Sequence, residues 1–152
     1  MVEMLGVLAI IGVLTIGAMS SVNYGIEAFR VRSAFDLVEE TARGVADLYS
    51  WKRSYLDGED VNASRAPMKG KICKNIFENK CVTTGEGANN AAVETNWGLL
   101  VVEPSRADQF TMKLTGVPAS ACNQLLNMEW TNVTLTTSSC GEGVTDIEFT
   151  SY

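Results

Sequence analysis

No histidine occurs anywhere in the 152-residue chain. Imidazole is therefore absent as base, acid or metal ligand, which excludes Ser-His-Asp and Cys-His catalysis and most catalytic zinc sites. Basic residues are missing from one end: eleven of the twelve Lys and Arg lie beyond Arg30, and within Met1 to Tyr24 the only formal side-chain charge is Glu3. No proline precedes Pro67, so nothing of that kind interrupts a helix before it. The net charge of −6 argues against general binding to phosphate backbones, because such affinity rests on Lys and Arg neutralising phosphates. Any nucleic-acid contact would be local, and none is indicated. Gly85-Glu86-Gly87 lacks the strand-turn-helix setting and the later glycine of a phosphate-binding loop, and no Ser and Lys form a recognisable dyad. The chain therefore reads as a non-enzyme without a cofactor. The rest of the composition, 46% hydrophobic and 20% charged, is ordinary for one globular domain.

What is present is a long apolar run. Met4 to Met19 reads MLGVLAIIGVLTIGAM, sixteen residues without a charge, and SSVNYGI extends it to Ile26 before Glu27 and Arg30. The strict run makes about 24 Å of helix, slightly short of the ~20 residues that span a bilayer, and adding Ser20 to Tyr24 closes the gap. A secretory signal peptide would want a basic start, whereas this one is acidic. A plain membrane anchor is the reading for a bare hydrophobic segment, but here no loop follows it. Val31, Ala34, Phe35, Val38, Ala42, Val45, Ala46 and Tyr49 keep one helical face apolar, while Arg32, Asp36, Glu39, Glu40, Arg43 and Asp47 occupy the other. The pattern predicts a single helix from the first residues to about Tyr55, ~80 Å long. Its first half is apolar all round and belongs among like helices or lipid; its second half belongs against a globular domain.

Glu3 has two readings. As a terminal carboxylate near lipid headgroups it gains ~0.3–1 kcal/mol from the positive end of the helix dipole. Buried instead among neighbouring chains and paired with a free α-amino group, it becomes a register mark, because an unpaired buried carboxylate is costly.

After Tyr55 the polar stretch LDGEDVNASRAPMKGK reads as a connection, and Thr83 to Asn96 as a second, flexible one. Arg65, Lys69, Lys71, Lys74 and Lys80 form a local basic cluster, read as a solvated loop or as a contact for an acidic neighbour or DNA. Strand signals follow at Trp97–Val102, at Phe110, Met112 and Leu114, at Val133 and Leu135, and at Ile147 and Phe149, with a short helix predicted over Pro118–Asn127 that has proline in its first turn. The fold class is thus α+β, a long N-terminal helix packed on an antiparallel sheet of about four strands. The expected divisions are 1–28 as an apolar transmembrane or filament-core helix, 29–56 as its amphipathic half and 57–152 as the head. Trp51, Trp97 and Trp130 are expected in core or interface. Asn62-Ala63-Ser64 and Asn132-Val133-Thr134 fit the N-glycan acceptor pattern. The four cysteines, 73, 81, 122 and 140, form an even set beside a membrane-directing segment, which favours disulfides in any of three pairings. A zinc site is the rival, without C-x-x-C spacing or histidine to support it.

The stretch VEMLGVLAIIGVLTIGAM, with its acid near the start of a long apolar helix, resembles the mature N-terminus of type IV pilins and of the related type II secretion pseudopilins. NWGLLVV, FTMKLTGVPASACNQLL, Cys140 and the closing DIEFTS resemble the globular domain of the IVb subclass, with a divergent middle from about Asp57 to Thr95. In that family a prepilin peptidase removes a basic leader, methylates the new terminus and leaves glutamate fifth. Glu3 is third, so the resemblance implies a sequence that begins two residues into the mature chain. It further implies the type IV pilin fold and a Cys122–Cys140 disulfide, with Cys73–Cys81 as the local remainder. Glu3 would act in assembly, and Leu5, Val7, Leu8, Ile10, Ile11, Val13, Leu14 and Ile16 would form the filament core. Gly12 and Gly17 are the candidates for the unwinding that family helices undergo in the filament. The implied function is that of a major pilin: a homopolymer forming an extracellular pilus, held in the inner membrane before the pilus assembly machinery takes it up, and serving adhesion, aggregation, motility or DNA uptake. A minor pilin and a pseudopilin are alternatives within the family. From another class, a membrane-anchored monomeric binding module would need the same helix and no partner for Glu3.

Overall fold

The computed structural model describes residues 2–85 and 87–151, the side chains of residues 19–21 and 23 excepted. The centre of the Gly85-Glu86-Gly87 triplet and part of the weakly polar stretch at 20–24 therefore lie outside the described residues. Helix α1 (Val2–Tyr49) runs unbroken for 48 residues, about 72 Å. It stops six residues before the expected Tyr55. The Ser50 hydroxyl donates to the Asp47 carbonyl at 2.8 Å, competing with the helical ladder. Arg53 then takes a left-handed conformation (φ 57°), its N–H closing on the Tyr49 carbonyl. The reversed chain is fastened where the Tyr55 N–H meets the Ala107 carbonyl at 2.9 Å.

The expected connection after Tyr55 is in fact mostly helix: α2 covers Val61–Asn75. The Asp60 side chain caps it by accepting from the Ala63 N–H at 2.8 Å, and the Ser64 hydroxyl accepts from Gly58 N–H at 2.9 Å. Pro67 and Gly70, both helix breakers, hide the signal, yet Ser64, Met68 and Ile72 at four-residue spacing form a buried stripe. The second expected connection also contains an element, strand β1 (Ala91–Glu94). Its two alanines are buried, and alanine carries little strand signal.

Strands β2 (Leu99–Arg106) and β3 (Gln109–Pro118), helix α3 (Ala119–Leu126) and strands β4 (Val133–Leu135) and β5 (Val144–Ser151) complete the chain. The architecture is α+β with a five-stranded sheet, one strand more than expected, in the order β1-β2-β3-β5-β4 with every pairing antiparallel. Pro118 is the N-cap of α3 and not a residue of its first turn. Two glycines let the β1–β2 turn meet a bulge in β3. A Cβ on Gly98 would lie 2.5 Å from the Thr115 carbonyl oxygen, and Gly116 has φ +72° where the β3–β5 register shifts.

The core lies between the sheet and the second half of α1. Val31, Val38, Val45 and Tyr49 from the helix meet Leu100, Phe110, Met112, Leu114, Ile147 and Phe149 from the strands. Ala46, expected on the buried face, is exposed, and Thr41 is buried in its stead. Trp130 lies between Phe35 and Phe149, ring centres 4.7 and 4.6 Å away, and its indole N–H donates to the Leu125 carbonyl. Trp97 packs at the edge of this core, whereas Trp51 is exposed at the far end of α1.

Candidate assembly surface

The functional surface follows from where the core ends. Val31 is the first buried position of α1, and no residue before it whose side chain is described is buried. The first half of the helix thus projects from the head with its apolar side chains in the open. Leu5, Val7, Leu8, Ile10, Ile11, Val13, Leu14 and Ile16 are each between 53% and 71% exposed, and Val2, Met4, Val22, Tyr24 and Phe29 extend the surface. Soluble monomers rarely expose contiguous apolar area of this kind, and where it occurs it marks an interaction surface. Burying the surface that these eight side chains still expose would be worth roughly 8–15 kcal/mol before the costs of association.

Glu3 stands in the first turn, on the exposed part of the helix. Gly12 and Gly17 lie inside continuous helix, so the single chain is not unwound at either. A Cβ built at Gly6, Gly12 or Gly25 would meet nothing within 4 Å among the described residues, so no contact among them calls for glycine at these positions. Among the described residues no helix is long and apolar enough to cross a membrane. The expected membrane segment at 1–28 includes Met1 and the side chains of residues 19–21 and 23, which lie outside the description.

The head that carries this helix is fastened in three ways, by disulfides, by Glu39 and by Asp57. Cys122–Cys140 ties α3 to the segment before β5, and Cys73–Cys81 ties the end of α2 to the chain leading to β1, the same two pairs that the resemblance implies. No described cysteine is left for a metal. Glu39, assigned by periodicity to the solvent face, is half-buried. Its carboxylate accepts from the Thr131 N–H (2.8 Å), the Thr131 hydroxyl (3.0 Å), the Asn132 N–H (3.2 Å) and the Asn132 amide. The helix is thereby pinned to the α3–β4 loop.

The third fastening is a charged hub that the sequence does not announce. The Asp57 side chain is 2% exposed and accepts from the Tyr49 hydroxyl, from Lys52 and from Lys71, the last at 2.7 Å. It joins the end of α1, the following turn and α2. The Lys71 ammonium also stands 5.2 Å from the centre of the Tyr49 ring. Burial alone would raise the Asp57 carboxyl, but the hydrogen bonds from Lys52, Lys71 and Tyr49 outweigh it and hold the group below the usual carboxylate range. The bond to Asp57 raises Lys52, while burial, reinforced by the same carboxylate, pushes the Tyr49 phenol far above its ordinary value. The expected basic cluster is divided by these contacts: Lys71 serves the hub, Lys69 donates to the Ala88 carbonyl and Lys80 pairs with Glu78.

Compared with protein-family models, with curated proteins and with solved structures, the chain finds no match. The functional reading rests on the geometry above and on the sequence resemblance.

Proposed function

We propose that this protein is a structural subunit that polymerises through its projecting helix, the major pilin of a type IV filament of the IVb kind. The observation that carries the reading is the division of α1 at Val31: every residue of the helix core follows it, and the exposed apolar half precedes it. A helix so built can bury its first half only against something outside the chain. Copies of itself suffice, and repetition of one heterologous contact yields an open filament with heads outside and helices at the axis. Glu3 then pairs with the α-amino group of a neighbour, as buried carboxylates require a partner. Before assembly the same surface resides in the inner membrane, from which the pilus assembly machinery withdraws it, and the finished filament stands outside the cell. Two disulfides suit a head exposed to an oxidising exterior.

The test is electron microscopy of material sheared from producing cells, with the chain identified in it by mass, for the wild type and for Glu3→Ala. Thin filaments from the wild type and none from a membrane-inserted, folded Glu3→Ala chain are expected. Absence of wild-type filaments, or unchanged filaments from the variant, would overturn the proposal.

A further inference from the structure

Beyond α1, the large apolar side chains left exposed among the described residues are Trp51, 76% exposed, and Val144, 70% exposed. They stand at opposite ends of the head. Trp51 lies in the turn after α1, which the Tyr55–Ala107 hydrogen bond joins to the turn between β2 and β3. Val144 opens β5 opposite Pro118, and Pro118 shares a shallow groove with Ile26, Arg30, Trp97 and Ser120 where α1 leaves the head. Two elements that run between these ends measure the separation. Arg30 to Tyr49 of α1 covers about 29 Å at ~1.5 Å per residue, and Gln109 to Pro118 of β3 covers about 30 Å at ~3.3 Å per residue. Within one chain, therefore, neither side chain can cover the other. Each is presented by a held turn. The N–H groups of Lys52 and Arg53 both donate to the Tyr49 carbonyl, at 3.1 and 3.2 Å, while the Gly141 N–H donates to the Thr145 hydroxyl at 2.9 Å and Gly143 is left-handed (φ 86°). An exposed charge accompanies each, and the two differ in sign: Arg53 follows Trp51 by two residues, and Glu142 precedes Val144 by two. Neither charge has an ion pair among the described residues.

Resting on the assembly reading above, we infer that Trp51 and Val144 are the two sides of one contact between successive copies of this chain, the indole of one head seating on Val144 and the neighbouring groove of the next while Arg53 faces Glu142. A contact that repeats into an open filament joins two different surfaces of the chain, and surfaces at opposite ends of the head stack one head on another. The charges match in the same pairing, since the cation accompanies the indole and the acid accompanies its seat. The seat is also continuous through the groove with the exposed apolar side chains of Ile26 and Phe29, so it belongs to the surface that assembly covers. Lengths agree as well. With parallel helices, a displacement of about 30 Å brings the two ends together and lays the exposed half of one α1 alongside roughly residues 22–49 of its neighbour's. Arg30 lines the groove without opposing the contact, because an indole face accepts a guanidinium. Tryptophan is among the residues that most often dominate an interface when a neighbour desolvates them. The exposed charge pair sets the orientation.

Sheared filament is quantified from cells producing the full chain as wild type, Trp51→Ser, Arg53→Glu, Glu142→Arg and the double reversal, alongside the melting temperature of each purified chain. Trp51→Ser is expected to lower filament yield roughly 30-fold, as for truncation of an aromatic hot spot, with the melting temperature unchanged. Each single reversal sets like charges against each other and lowers yield about 5-fold. The double reversal restores it to within about 2-fold, because a direct pair is coupled and separate sites are not. A photo-crosslinking residue in place of Ser120, in the otherwise wild-type chain, captures a peptide containing Trp51 in filaments and not in the dispersed chain. Wild-type filaments together with normal assembly of Trp51→Ser, an unrescued double reversal or capture of other segments alone would overturn this contact and leave the assembly reading standing. A fall in the melting temperature of Trp51→Ser that matches its loss of filament would assign Trp51 to the stability of the head and overturn the contact too. A wild-type chain that forms no filament overturns both.

Discussion

Replacing Asp57 by alanine removes the acceptor of three side chains at once and is the most informative perturbation of the head. The carboxylate is 2% exposed, while the two lysines that bind it keep 32% and 38% of their side-chain surface. Breaking a fully buried ion pair by deleting one partner costs about 3–5 kcal/mol. Here the orphaned ammonium groups can recover part of their hydration, which brings the expected loss to about 2–4 kcal/mol. The Tyr49 hydroxyl, buried and left without its acceptor, keeps the loss from falling lower. At roughly 3–4 °C per kcal/mol for a domain of this size, the melting temperature should fall by about 6–16 °C in circular-dichroism melts at pH 7. The pH dependence has a definite sign. The native Asp57 carboxyl is depressed, so its contribution is complete above the ordinary aspartate pKa of about 4 and disappears as the pH falls through the lower native value. Lys52 is raised, so its contribution is complete below the ordinary lysine pKa of about 10.4 and disappears as the pH rises through the higher native value. The gap between wild type and variant should be flat across about pH 5–10 and narrow on both sides. A loss under 1 kcal/mol at pH 7, or a gap that widens in acid, would refute the hub.

Other changes test other fastenings. Glu39→Ala leaves the Thr131 and Asn132 N–H groups without their acceptor and should cost about 1–2 kcal/mol in urea unfolding, with faster amide exchange at those two positions. Replacing Cys122 and Cys140 by serine opens an interval of eighteen residues and should cost about 3 kcal/mol, against about 2.5 for the eight-residue Cys73–Cys81 interval, measured on separately prepared variants. Gly12→Ala meets no neighbour and should favour the helix of the single chain by about 1 kcal/mol, read as added helicity on heating in detergent. If the filament unwinds the helix at that position, the same substitution lowers filament yield.

Legibility in the sequence followed the strength of the period. The 3.6-residue pattern through Val31, Ala34, Val38, Ala42 and Val45 is complete, and those residues are buried in the helix–sheet core. The alternations at Phe110, Met112 and Leu114 and at Ile147 and Phe149 likewise place central strands. Helix α2 was hidden because its buried stripe includes a serine and its length includes Pro67 and Gly70, which read as breaks. Strand β1 was hidden because two alanines bury well and signal poorly. Glu39 and Asp57 were illegible for a different reason. A carboxylate on a helix face or in a turn looks solvated until the chain brings donors to it, and the Thr131 and Asn132 donors to Glu39 come from more than ninety residues away. For Asp57, Lys52 and Lys71 are near in sequence, but only the turn at Arg53 and the capped start of α2 bring both to one carboxylate.

The fastenings of the head and the surface of its helix answer different physical demands. Glu39, the Asp57 hub and both disulfides lie at or beyond residue 39, and the core contribution of α1 begins at Val31. The buried core and these fastenings of the head thus draw on no described residue before Val31. Those residues carry costs that the single chain does not recover: an apolar surface held in the open, and glycines at 6, 12, 17 and 25 where helix stability favours alanine by about 1 kcal/mol each. The proposed assembly accounts for a segment that lowers the stability of its own chain while leaving the core untouched. Small residues permit close approach of helices at an axis, and glycine lowers the cost of local unwinding. In the proposed filament both properties act where a second copy lies against the first.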